Sequence, residues 1–255
     1  MTTRKYFCIG LWMLLPLLGW AQPDFEDLQQ QWLDILNKGE DVSEFYWTNE
    51  YQVFAELKVG EAQRIMDVVN SNENKLPGSY QQTDIFRHDE DRYVTVGDLY
   101  NEEDEILLVT GWRNTENGWK KEVDMYFSPE EETGNSFEMV KAKLDERRQE
   151  WIKLANAHNP QKHVDELYTQ ETVYLANGSK SEGRQEVADR YYFMKNPNYE
   201  IGISKTKLWN IAEGHVLETG RYYVGGDYDA DGGVYVVLWE LTGAGKWQVK
   251  LDFNF

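Results

Sequence analysis

GVYVVLWELTGAGKWQVKLDFNF (Gly233–Phe255) closes the chain and predicts a β-hairpin. Its strands are Val234–Leu241 and Lys246–Phe255, joined by the turn TGAG. The same pattern occurs earlier, at Glu105–Phe127. Four residues of the early copy, Trp112, Trp119, Asp124 and Phe127, correspond in order to Trp239, Trp247, Asp252 and Phe255. A hairpin that is written twice predicts one fold that is built twice.

Other matching residues keep nearly the same separation along the chain. Trp32 and Trp151 differ by 119 positions, Gly60 and Gly183 by 123, Gly97 and Gly220 by 123, and Asp124 and Asp252 by 128. Each increase lies in a predicted loop, where insertions are tolerated. The two glycines Gly60 and Gly183 each predict the start of a helix. We therefore expect a first domain at residues 22–128, a polar linker at 129–135 and a second domain at 136–255.

The first 21 residues predict a secretory signal. Arg4 and Lys5 form a positive start, Phe7–Leu18 is apolar, and Gly19 and Ala21 are the small residues expected before a cut at Gln22. The apolar run is shorter than the ~20 residues of a membrane span. We expect an exported protein, periplasmic or extracellular, with no stable membrane span. An uncleaved membrane anchor is the alternative.

Charge and cysteine content limit the possible partners. The full chain has a net charge of −19, and without the predicted signal it has 24 basic against 45 acidic residues, or −21. Such a field repels nucleic acid and anionic lipid. Cys8, the only cysteine, lies in the predicted signal, so the mature chain would contain neither disulfides nor thiol chemistry.

A family resemblance is carried by the second half of the chain. The stretch WIKLANAHNPQKHVDELYTQETVYLANGSKSEGRQEVADRYY (Trp151–Tyr192) combines a helix containing Trp, a short helix ending in Leu-Tyr, a strand, and Gly-Arg at the start of another helix. Together with the closing hairpin it resembles the nuclear transport factor 2-like superfamily, particularly its SnoaL-like branch. The first half resembles the family more loosely, because no Arg follows Gly60.

The resemblance implies two tandem cone-shaped α+β domains, each a curved antiparallel sheet wrapped against N-terminal helices, with a pocket at the open end. Some members of the superfamily are isomerases, cyclases or hydrolases, whereas others bind ligands or associate. Binding of a small molecule, or a role as an association scaffold, is favoured here. A cofactor-independent acid–base enzyme of the isomerase or cyclase type is the alternative.

Asp252 and Asp124 are the candidate catalytic residues. Acid–base chemistry in this fold would use an Asp in an apolar pocket beside a Tyr or a second acid. Residues 247, 249, 251, 253 and 255 are apolar, so strict alternation places Asp252 on the opposite face, outside the pocket. By the same alternation, Asp124 lies on the face of its strand that also carries Lys120 and Glu122.

Two inner strands predict that each sheet is covered on both faces. Tyr235–Trp239 and Ile106–Val109 are nearly continuous apolar runs, which are typical of strands buried on both sides. Helices of the same domain would cover one face. The sheet of the other domain would cover the second face, which gives a pseudo-dimer within one chain. Self-association between chains is the alternative.

The remaining candidates are a loop and a set of aromatic residues. Asp227, Asp229 and Asp231 are spaced like calcium ligands, but Leu238 stands where a calcium-binding helix-loop-helix has its Glu. A lengthened polar turn is the competing interpretation. No other cofactor is expected, because none of the four histidines has zinc-ligand spacing. Tyr168 and Trp209 are the candidate ligand-binding residues, because aromatic walls suit small apolar ligands.

Overall fold

The computed structural model describes residues 23–53, 59–60, 76, 78–101, 105–128, 135–225 and 232–254. The helices are α1 (Phe25–Asn37), α2 (Asn135–Ala155), α3 (Pro160–Leu167) and α4 (Gly183–Arg190), with 3₁₀ turns at Ser43–Phe45 and Tyr191–Lys195. The strands of the first half are β1 (Tyr46–Val53), β2 (Val59–Gly60), β3 (Ser79–Arg87), β4 (Arg92–Tyr100), β5 (Glu105–Thr115) and β6 (Gly118–Phe127). Those of the second half are β7 (Tyr168–Ala176), β8 (Ser179–Glu182), β9 (Ile201–Ala212), β10 (His215–Val224), β11 (Gly232–Leu241) and β12 (Trp247–Asn254).

The two halves have one topology. We call α1 with β1–β6 the first unit, and α2–α4 with β7–β12 the second unit. Their six-stranded sheets have the orders β2-β1-β6-β5-β4-β3 and β8-β7-β12-β11-β10-β9. Pairing is antiparallel except at β1–β6 and β7–β12, which are parallel. The predicted fold class, an α+β protein built from two such sheets and their helices, is confirmed.

Local signals in the sequence explain where the helices begin. The Asp24 carboxylate accepts a hydrogen bond from the backbone N–H of Asp27 and so caps α1. Asn159 caps α3 in the same way, and Pro160 occupies its first turn, where the missing N–H costs nothing. In α1 the buried apolar residues, which pack against the first sheet or its edge, are Phe25, Trp32, Leu33 and Leu36.

The two sheets pack against each other face to face. One buried cluster joins Val109 and Met125 of the first sheet to Val236, Leu251 and Phe253 of the second. The alternate residues of β11 point the other way, into a cluster formed with the helices of the second unit. Those residues are Tyr235, Val237 and Trp239. Both faces of β11 are therefore buried, as the continuous apolar run predicted, and the cover on the outer face is the sheet of the first unit.

A β-bulge reverses the alternation in β12. Leu238 is paired with Leu251 and Trp239 with Val249, so Lys250 has no partner residue on β11. Val249 belongs to the helix-side cluster, whereas Leu251 belongs to the cluster between the sheets. The predicted position of Asp252 on the outer face is therefore wrong: Asp252 lies on the helix side, fully buried.

The first unit has the same bulge at the corresponding place. Gly111 is paired with Val123 and Trp112 with Lys121, so Glu122 is the extra residue. The ammonium group of Lys121 lies 2.8 Å from a carboxylate oxygen of Asp124. The prediction that Asp124 shares a face with Lys120 and Glu122 is therefore wrong as well.

Three predictions concern segments that lie wholly or mostly outside the described residues: the helix after Gly60, the signal and the linker. Gly60 ends the short strand β2, and the helix predicted after it lies outside the described residues, so it stays a prediction. The predicted signal at residues 1–21 and most of the predicted linker also lie outside them. The signal stays a prediction, which N-terminal sequencing of the mature protein would decide: a protein that begins at Met1 would contradict cleavage.

Candidate functional site

A cavity of about 430 Å³ opens in the second unit. Helix α2, the 3₁₀ turn after α4, and five of the strands contribute to its wall. The residues of the wall are apolar, aromatic or neutral: Trp151, Tyr174, Ala176, Asn177, Tyr191, Phe193, Met194, Tyr199, Ile201, Ile203, Tyr222, Val224, Tyr235 and Asn254. Such a wall suits a ligand with an apolar body, and the few hydroxyl and amide groups can fix its orientation.

Asp252 lies directly behind this wall. Its Oδ2 accepts hydrogen bonds from the hydroxyl groups of Tyr168 at 2.7 Å and Tyr191 at 2.5 Å. Its Oδ1 accepts a bond from the amide of Asn254 at 3.2 Å. Because Tyr191 and Asn254 both line the cavity, the carboxylate is one hydrogen bond away from the cavity wall.

The surroundings of Asp252 alter its acidity. Burial raises the pKa of Asp252 to about 6, although the hydrogen bonds from Tyr191, Tyr168 and Asn254 act in the opposite direction. Burial and the nearby Asp252 charge raise the pKa values of Tyr168 and Tyr191 well above the ordinary value, so both tyrosines stay protonated. The cluster therefore contains one group that exchanges its proton near neutral pH, and two fixed hydroxyl groups.

A second buried carboxylate supports the cavity from another side. Oε1 of Glu218 accepts hydrogen bonds from the Arg148 Nε and the Tyr235 hydroxyl, both at 2.6 Å, and its Oε2 accepts a bond from Trp239 Nε1 at 2.8 Å. Tyr235 lines the cavity. A Cβ at Gly220 would lie 2.3 Å from the Tyr235 hydroxyl oxygen, so this position must be glycine for the ring to lie there.

The corresponding place in the first unit holds an ion pair. Asp124 accepts hydrogen bonds from Lys121 at 2.8 Å, Thr110 at 2.6 Å, Tyr46 at 2.9 Å and Tyr126 at 3.1 Å. The Lys121 ammonium also lies 3.5 Å from the ring centroid of Trp32, which is a close cation–π contact. Lys121 is paired with Trp112 across the two strands, as Val249 is paired with Trp239 in the second unit. Lys121 therefore takes the position that Val249 has in the second unit.

His163 is buried beside the Asp252 cluster. Its ring centroid lies 5.7 Å from that of Tyr168 and 5.5 Å from that of Tyr191. Neither ring nitrogen has a hydrogen-bond partner within the described structure. Burial lowers the pKa of His163 to about 3, so this residue is a neutral packing element at physiological pH.

The two predicted ligand-binding residues lie outside the cavity wall. Tyr168 is one hydrogen bond behind it, where it positions Asp252 and Tyr191. Trp209 packs at the edge of the cluster between the two sheets. The wall residues that the sequence did not single out include Phe193, Met194 and Asn254. Phe193 and Met194 lie in the 3₁₀ turn Tyr191–Lys195, which directly follows α4.

The predicted calcium loop cannot be placed. Asp227, Asp229 and Asp231 lie outside the described residues, so metal binding there stays a prediction. Within the described residues, no group of three or more His, Cys, Asp or Glu side chains is arranged to hold a metal ion. None of the helices in that part of the chain is long and apolar enough to cross a membrane.

No protein-family profile and no curated protein matches the sequence. Several solved structures match about half of this chain each. A nuclear transport factor 2-like protein from Shewanella oneidensis has 16% identity and a TM-score of 0.36, over 45% of this chain and 94% of its own. A domain with a cystatin-like fold from Nostoc punctiforme has 11% identity and a TM-score of 0.40, over 48% of this chain and 78% of its own. A ketosteroid isomerase-like protein from Erwinia carotovora has 12% identity and a TM-score of 0.35, over 44% of this chain and 92% of its own. The first of these descriptions names the superfamily that the sequence resembles.

Proposed function

We propose that the second unit binds a small molecule with an apolar body in its cavity, and that the first unit serves as a structural partner. The observation that carries this proposal is the cavity of about 430 Å³ whose wall contains no charged residue. Tyr191, Tyr222 and Asn254 provide the polar contacts. In the first unit, the Lys121–Asp124 pair fills the corresponding place, and its sheet covers the outer face of the second sheet.

A fluorescent dye tests the binding site directly. N-Phenyl-1-naphthylamine is neutral and aromatic, and its emission rises in an apolar cavity. We expect saturable binding by the full chain and a loss of at least about tenfold in affinity, which is ~1.4 kcal/mol, for Ala176→Trp, because the larger side chain enters the cavity. The measurement is a fluorescence titration.

The matched control is Leu241→Trp. Leu241 is exposed near the far end of β11, six residues beyond the cavity residue Tyr235, so this variant adds the same indole away from the site. It should bind the dye as the unmodified protein does. Equal binding by the unmodified protein and Ala176→Trp, or no binding at all, would contradict the proposal.

An acid–base enzyme is the second candidate function, and the Asp252 cluster favours it. Tyr191 lies in the cavity wall with its hydroxyl on Asp252, whose pKa is raised to about 6. Protonated Asp252 would give its proton to the Tyr191 oxygen while Tyr191 gives its own to the carbonyl oxygen of a ligand and water removes the α-proton, which forms an enol. In the reverse step the enol returns its proton through Tyr191 to ionised Asp252, and the carbon takes a deuteron from the solvent. α-Tetralone, a bicyclic ketone, provides a test by NMR of deuterium exchange beside its carbonyl. No acceleration over buffer, or an equal acceleration with Asp252→Asn, would exclude this candidate for such ketones.

A further inference from the structure

Residues of the first unit reach the mouth of the cavity in the second unit. Arg113 Nη2 lies 3.3 Å from the side-chain oxygen of Asn177, which is part of the cavity wall. The same guanidinium pairs with Glu122 at 2.9 Å and lies 4.2 Å from the ring centroid of Trp47. Arg113 is thus held rigidly at the rim, and part of its charge is offset by Glu122.

A second basic segment lies beside the first. Arg92 is directly opposite Arg113 in the β4–β5 register, and its carbonyl accepts the backbone N–H of His88. His88 and the hydroxyl of Tyr222 both lie over Gly233, where an added Cβ would be 2.5 Å from His88 Nδ1 and 2.6 Å from the Tyr222 oxygen. The β3–β4 turn therefore borders the cavity at Tyr222.

A third guanidinium lies on the second unit itself. Arg190 Nε donates a hydrogen bond to the Ser181 hydroxyl at 3.2 Å, and Ser181 is the cross-strand partner of the wall residue Tyr174. Within the described residues, Arg190 has no carboxylate at ion-pair distance. Burial raises the pKa values of Tyr174 and Tyr222. The positive charge of Arg190 acts to lower the pKa of Tyr174, and that of Arg92 acts to lower the pKa of Tyr222.

The charges are therefore separated along the cavity. Three arginines lie near its wall: Arg113 contacts the wall residue Asn177, and Arg190 and Arg92 are close enough to Tyr174 and Tyr222 for their charges to act on these residues. Glu122 lies beside Arg113, and Asp89 lies 3.5 Å from His88. The Asp252 carboxylate lies behind the deep wall. A local concentration of arginine is notable in a chain of net charge −19. An anion would be repelled at the deep end and attracted at the mouth.

Resting on the proposed function, we propose that the ligand is an amphipathic anion. Its apolar body enters the cavity, and a carboxylate or similar oxyanion remains at the mouth, bound by Arg190 together with Arg113 and Arg92. Guanidinium groups are suited to this task, because their donors match the two oxygens of a carboxylate and they remain charged at every relevant pH.

Two dyes with one ring system test this inference. 8-Anilino-1-naphthalenesulfonate has the aromatic body of N-phenyl-1-naphthylamine and adds a sulfonate. We expect Arg190→Gln to weaken binding of the anionic dye about fivefold, as for the loss of an ion pair worth ~1 kcal/mol, and to leave the neutral dye within about twofold of the unmodified protein. Arg190 is exposed, so the variant should fold. Higher salt should weaken only the anionic dye.

The controls separate this inference from the proposed function. Lys246→Gln makes the same change of charge in the exposed β11–β12 turn and should leave both dyes unaffected. Only binding that Ala176→Trp abolishes is counted, because the anionic dye also adheres to apolar surfaces. Both dyes could bind in the cavity while Arg190→Gln changes the binding of neither, or weakens the binding of both equally. The proposal of an amphipathic anion would then be wrong, and the proposed binding of a small molecule would stand. If neither dye binds there, both proposals fail.

Discussion

Replacing Lys121 with methionine should lower the free energy of unfolding by about 3–5 kcal/mol, the loss typical of a buried ion pair that loses one partner. The Lys121 and Asp124 side chains are both fully buried, and their charged atoms lie 2.8 Å apart. Methionine has a similar length and fits beside Trp32, so the change mainly removes the charge. Asp124 would then retain only the hydroxyl groups of Tyr46, Thr110 and Tyr126 as partners. Urea denaturation at neutral pH measures the difference.

The double variant Lys121→Met, Asp124→Asn supplies the control. Removing both charges should recover most of the loss, because the remaining amide can still use the surrounding hydroxyls. A single variant within about 1 kcal/mol of the unmodified protein would show that the pair adds little to stability. It would also weaken the assignment of a structural role to the first unit, which would then rest only on the cover that its sheet gives to the second sheet.

Asp252→Asn should make the protein less sensitive to pH. The pKa of Asp252 is raised from 3.8 to about 6 in the folded protein, so its protonated form is favoured by folding. This stabilisation is complete below pH 3.8 and is lost as the pH rises through about 6. Relative to Asp252→Asn, the unmodified protein should lose about 2.5 kcal/mol of unfolding free energy between pH 4 and pH 8, since one pKa unit corresponds to ~1.4 kcal/mol and part of the unfolded carboxyl is already ionised at pH 4.

Tyr191→Phe provides a second measurement on the same cluster. The Tyr191 hydroxyl lowers the pKa of Asp252, so its removal should shift the pH-dependent loss of stability to higher pH. Denaturation curves at several pH values would detect this shift. A constant difference between the unmodified protein and Asp252→Asn across the range would mean that Asp252 does not change its protonation on folding in this window.

Local patterns were enough to predict the closing hairpin. An apolar run, a turn rich in glycine and a second apolar strand are all contained in one short stretch, and the observed strands are Gly232–Leu241 and Trp247–Asn254. The repeat was equally visible, because matched tryptophans and glycines kept their order. Gly60 itself ends the short strand β2, and the helix predicted after it lies outside the described residues, so that part of the prediction is not tested.

The site was predicted only in part. The sequence singled out Asp252 as a candidate acid and, separately, Tyr168 as a candidate ligand-binding residue, without predicting the hydrogen bond between them. Alternation placed Asp252 on the wrong face. One extra residue at Lys250 reverses the side of every later residue in the strand. That residue is charged and resembles its polar neighbours in the sequence, so no pattern in β12 marks the bulge.

The sequence by itself determined that this protein is a doubled α+β unit with covered sheets and, with a single cysteine, no disulfide framework. These properties follow from spacing, apolar periodicity and cysteine count. The tertiary structure decided which acids are buried, that Lys121 fills the place in the first unit that Val249 takes in the second, and that arginines from the first unit border the cavity of the second. These properties depend on strand register and on contacts between residues far apart in the chain. Packing sets both, and no short stretch of sequence contains them.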